Sequence, residues 1–102
     1  MAVELFGNGC RVWIPHALTD ADGNADVHIF LHDAAFAGTL YTVDSIRELM
    51  ARHERTGECA SGRYFFDPTM VIVRNLRPET ILAVAEELVK SGELSKAFAK
   101  SV

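Results

Sequence analysis

The hydrophobic positions of this chain change period along its length, and the changes mark its elements. Residues 27–32 (VHIFLH) alternate strictly. Val27, Ile29 and Leu31 make one apolar face of a strand, and His28, Phe30 and His32 make the other. Upstream, Val3–Phe6 and Cys10–Ile14 flank Gly7-Asn8-Gly9, residues that tolerate the positive φ of a tight hairpin. Val12 and Ile14 share one face of the second strand, and Arg11 and Trp13 share the other. Pro15 ends it, because proline cannot donate to a ladder. After a turn at 33–35, Phe36–Val43 runs back as a fourth strand, with Gly38 marking a bulge or a close contact. Further on, Tyr64–Phe66 and Met70–Val73 read as two strands around the turn signal Asp67-Pro68. Met70–Val73 is apolar on both faces, which places it in the middle of a sheet.

Between these strands the period becomes helical. Ile46, Leu49, Met50 and His53 form one stripe, starting near Asp44 and stopping at Gly57. Ser45 and Glu48 have the spacing of a capping box, and Thr42 is a rival cap. Pro78 and Glu79 open a second helix with the stripe Ile81, Val84, Ala85 and Leu88, closed by Gly92. Its cap position falls on Arg77, a poor residue for it, so Asn75 is the candidate to start the turn. Glu93–Lys100 reads as a short last helix with Leu94 and Phe98 on one side and a fraying tail. The order ββββ-α-ββ-α-α predicts one α+β domain over residues 1–102. Its sheet is mostly antiparallel, of five to six strands, with two main helices and a short C-terminal helix on one face.

Composition narrows the function classes. The 102 residues are 49% hydrophobic, enough for a packed core. No apolar run approaches the roughly 20 residues that cross a bilayer. The first residues show no basic region followed by an apolar core, so a cytoplasmic protein is expected. The net charge is −4 and uneven: residues 1–46 carry one base and six acids, the remainder nine bases and eight acids. No basic stripe suits a nucleic acid, whereas the acidic half suits a basic protein partner. Two cysteines, Cys10 and Cys59, make neither a disulfide scaffold nor a CxxC site and read as free thiols.

Candidate chemistry is sparse. Asp20-x-Asp22-Gly23-Asn24-x-Asp26 has oxygen ligands on alternate residues, as a hard cation needs. The EF-hand pattern fails, because glycine stands at the fourth loop position and Leu31 at the twelfth. His28 and His32 share a strand face, but four residues of strand span roughly 13 Å, too far for one metal. His16 has no visible partner. Arg63 lies beside the Gly57–Gly62 connection and is the candidate for an anion, with Cys59 near it. The Cys-x3-Arg spacing matches no catalytic loop, and no motif of nucleophilic or metal catalysis occurs. No cofactor or metal is therefore expected, and no catalytic residue is named.

The aromatic positions carry the main expectation. The few helices cover one sheet face only. Trp13, His28, Phe30 and His32 then fall on the other, joined by part of the Tyr64–Phe66 set. A monomer rarely leaves such a surface wet. The sequence thus suggests an interaction module that pairs with a second copy through this face. Two other readings stand beside it. One is a small-molecule site or small enzyme whose pocket is lined by Trp13, Phe30, Tyr64 and Phe66, with polar groups from His28, His32 or Arg63. The other is an acidic inhibitor of a basic protein.

Overall fold

A computed structural model describes residues 2–15 and 23–101. Among these, six strands form one sheet: β1 (Val3–Gly7), β2 (Cys10–Ile14), β3 (Asn24–Phe30), β4 (Ala35–Thr42), β5 (Met70–Val73) and β6 (Ala99–Lys100). The helices are α1 (Val43–Thr56), α2 (Glu58–Gly62), α3 (Pro78–Ser91) and α4 (Leu94–Ala97). The architecture is α+β with a mostly antiparallel sheet. Strands β1 to β4 meander in sequence order, β5 joins β4 in parallel, and β6 joins β4 antiparallel. His16 and the Asp20-x-Asp22 half of the calcium-like loop lie outside the described residues.

Alternation fixes the core. Val12, Ile14, Val27 and Ile29 point to one side and are almost wholly buried. Each such side chain contributes about 1.5–3 kcal/mol by leaving water. Helix α3 lies over them, with Ile81 and Ala85 buried beneath it and contacts to β1, β2 and β5. Glu86 of α3 accepts the Asn8 amide at 2.7 Å and ties the β1–β2 turn to the helix. Phe98 closes the same layer at β4: a Cβ added at Gly38 would stand 2.3 Å from its ring. Gly38 is thus a close contact and not a bulge, since the β3–β4 register runs unbroken through it.

Several local expectations are corrected. Met70–Val73 is an edge strand and not a central one, because among the described residues β4 is its only partner and Ile72 is 52% exposed. Residues 64–66 form no strand; they belong to an extended connection. The sixth strand comes instead from the C-terminus, where Phe98 is 3% exposed and β6 pairs Phe36 with Lys100 and Ala37 with Ala99. The tail is pinned where fraying was expected. Thr42, not Ser45, caps α1 by accepting the Ser45 amide at 3.2 Å. Arg77 occupies the α3 cap without a side-chain bond, and the Asn75 side-chain Oδ1 accepts its amide at 3.0 Å.

The connection after α1 is unusual. Cys59, Ala60 and Ser61 all adopt positive φ, at 52°, 54° and 58°, so α2 is a turn of left-handed helix. Each non-glycine residue held so costs about 1–2 kcal/mol. Gly62 lets the turn seat on α1, since a Cβ there would lie 2.2 Å from the Met50 carbonyl. Ala60→Gly is therefore expected to stabilise the protein by about 1 kcal/mol, the reverse of glycine's usual effect. A urea titration reads the sign, and a lower midpoint for this variant would refute the strain.

Candidate functional site

The helix-free face of the sheet gathers Trp13, His28 and Phe30, half of the side chains singled out for it in the sequence. Register places Trp13 beside His28 and Arg11 beside Phe30 across β2 and β3. The Trp13 and His28 rings are 5.1 Å apart, and His28 stacks toward Phe30 at 6.5 Å. The Arg11 guanidinium sits 4.3 Å above the Phe30 ring, a cation–π contact. Glu4 on β1 pairs with Arg11 and neutralises it. Trp13, His28 and Phe30 are half-buried by one another, and Phe6 on β1 extends the row while 69% exposed. The result is a continuous amphipathic strip in which the Glu4–Arg11 pair is set among the aromatic rings.

His32, Tyr64 and Phe66 are not part of this row. β3 ends at Phe30, so His32 lies in the exposed turn before β4. Tyr64 and Phe66 are 54% and 69% exposed on the connection that bounds the sheet near β4 and β5. Phe65, between them, is the residue that turns inward. Its ring meets Tyr41 edge-on at 5.0 Å. The Tyr41 hydroxyl donates to Asp67 at 2.8 Å, and the Thr69 amide donates to the same carboxylate at 3.1 Å. Asp26 on β3 accepts the Thr39 hydroxyl at 2.8 Å. The Tyr41–Asp67 bond, with the Thr39 amide donating to the Thr69 carbonyl at 3.0 Å, clamps the connection to the sheet. The signal for it was the Asp67-x-Thr69 spacing, in which a short carboxylate bonds the backbone two residues on.

Burial, and then the bond to the Asp67 carboxylate, push the Tyr41 hydroxyl up from 10 to about 12. The neutral phenol is the form the fold prefers. Its stabilising contribution is complete below pH 10 and is lost as pH rises through about 12. Tyrosinate absorbance from Tyr41 is expected only near the upper value in a spectrophotometric titration, and Asp67→Asn should bring it lower. Ionisation of Tyr41 at the ordinary value would show the clamp open.

The remaining candidates resolve simply. The Arg63 guanidinium donates to the Ala60 carbonyl at 3.0 Å and so braces the left-handed turn. His53 is buried in α1, its Nε2 3.6 Å from the exposed Glu58 carboxylate and its Nδ1 without a partner. Cys10 and Cys59 are free; burial, with Glu86 nearby, raises the Cys10 thiol. A depression of about 380 Å³ lies beside β3 and β4, lined by Asp26, His28, Ala37, Thr39 and Thr69. Trp13, Phe30, Tyr64 and Phe66 do not line it. Among the described residues no three His, Cys, Asp or Glu side chains stand together as metal ligands, and no helix is long and apolar enough to cross a membrane. Comparison with family profiles, with characterised proteins and with solved structures gave no match.

Proposed function

We propose that this chain is an interaction module that forms a homodimer by laying its helix-free sheet face against a second copy. The observation that carries this reading is the row Phe6, Trp13, His28 and Phe30, which lies on the sheet face opposite the buried Val12, Val27 and Ile29 and stays partly exposed, largely so at Phe6. A two-fold axis through such a face buries it without any new element. The Arg11 guanidinium lies within the row, between Phe6 and Phe30, and Glu4 neutralises it there, so the face carries no unpaired charge at that point. The two free thiols suit a cytoplasmic setting.

Light scattering at tens of micromolar tests the proposal. The expected mass is twice the 11.2 kDa of one chain. A mass of one chain would overturn it. It would also favour the second reading, a small polar ligand held beside His28, Asp26 and Thr39 in the depression on the same face.

A further inference from the structure

Helix α1 carries a second surface without a partner, remote in kind from the aromatic face. Its stripe Ile46, Leu49 and Met50 does not sink into the core as the pattern predicts. The helix touches the sheet chiefly at β4 and otherwise packs on the left-handed turn, leaving Ile46 and Met50 half-buried and Val43 57% exposed. The molecule is long, 44 × 26 × 20 Å, with a radius of gyration of 14.2 Å against about 13 Å for a compact chain of this length. A groove of about 450 Å³ runs along the helix, lined by Val43, Ile46, Arg47, Met50, Ala51 and Glu54 beside Gly62.

The order of those residues is self-complementary. Val43, Arg47, Met50 and Glu54 follow one another at helical spacing on one stripe. A base lies toward one end, an acid toward the other, and the apolar Met50 with the small Ala51 at the centre. Arg47 stands three residues before Met50, and Glu54 three after Ala51. Two such helices placed antiparallel about an axis near Met50 and Ala51 therefore bring each Arg47 opposite the other copy's Glu54. Ala51 allows close approach, and antiparallel dipoles favour the arrangement. Arg47 already bonds Asp44 at 3.0 Å, but both are largely exposed, and water and salt weaken that pair.

We infer that α1 is a second self-association surface, which pairs with α1 of another copy in antiparallel fashion and joins two sheet-face dimers into a tetramer. One helix pair buries less than a standard interface, so this contact forms at higher concentration than the sheet-face dimer.

Charge exchange tests it without disturbing the core, because both residues are exposed. In sedimentation velocity from micromolar to millimolar protein, the parent is expected to pass from two chains to four. Arg47→Glu should move that step at least about tenfold higher in concentration, and adding Glu54→Arg should restore it. A cross-link reads the geometry separately. In a Cys59→Ser background, Ala51→Cys should join to itself on treatment with diamide, which takes up the two thiol protons and two electrons as the disulfide forms. Phe30→Asp, which removes the sheet contact, should leave this cross-link intact. Absence of the cross-link, its loss in Phe30→Asp, or unchanged association of Arg47→Glu would each overturn the α1 interface. A failure of the sheet-face dimer alone would appear differently, as a cross-linked pair with no larger species.

Discussion

Phe98→Ala is expected to lower the free energy of unfolding by about 3–5 kcal/mol, a large share of the 5–15 kcal/mol typical of a domain. The ring is 3% exposed although it lies close to the C-terminal end of the described chain. It fills the space that Gly38 leaves empty on β4, where even a methyl group would stand 2.3 Å from the ring. Truncation to alanine opens a cavity facing glycine, whose backbone offers nothing to collapse into it. The loss spreads to β6, because Phe98 leads directly into the Ala99–Lys100 strand and its pairing with Phe36 and Ala37. Denaturant titration should show the shift with a two-state transition. A change below about 1 kcal/mol would mean that the C-terminal segment does not close the core.

Phe30→Asp should abolish association through the sheet face while leaving the chain folded. Phe30 is half-exposed in the single chain, and the Arg11 guanidinium 4.3 Å away offers the new carboxylate a partner. The monomer therefore tolerates the change. In the dimer the same position lies at the centre of the covered strip, where a charge must be stripped of water. A cost of several kcal/mol is several factors of ten in affinity, enough to dissociate a dimer at tens of micromolar. Asp33→Ala, in the exposed turn after β3, is the control and should associate as the parent does. Equal loss in both variants would place the contact elsewhere.

Much of the fold was legible because β2 and β3 bury one face and leave the other partly open. Val27, His28, Ile29 and Phe30 alternate in sequence and in burial alike, and the stripe Ile81–Ala85 announced α3. The aromatic row was legible for the same reason, since cross-strand pairing of Trp13 with His28 follows from two alternating strands and a short turn. Other features left no such trace. Met70–Val73 is apolar throughout, and an apolar run does not distinguish an edge from a centre; only Val71 and Val73 serve the core. Tyr64–Phe66 has strand-forming residues, yet Phe65 alone is needed, to cover Tyr41. The left-handed turn at Cys59–Ser61 lies where no glycine signals it, because Gly57 and Gly62 mark only its ends. A two-residue strand such as β6 is too short to have a period. The exposure of α1 was hidden for a different reason: its stripe is that of a core helix, and only the chain's path shows that it leaves the sheet at β4.

Trp13 offers the most direct test of the sheet-face dimer, because it is the chain's one tryptophan and stands in the row itself. Its emission reports whether that face is wet. At tens of micromolar the spectrum should lie to the blue of the Phe30→Asp variant and shift red on dilution as the dimer dissociates. A spectrum that is independent of concentration and identical in Phe30→Asp, at a mass of one chain, would contradict the account.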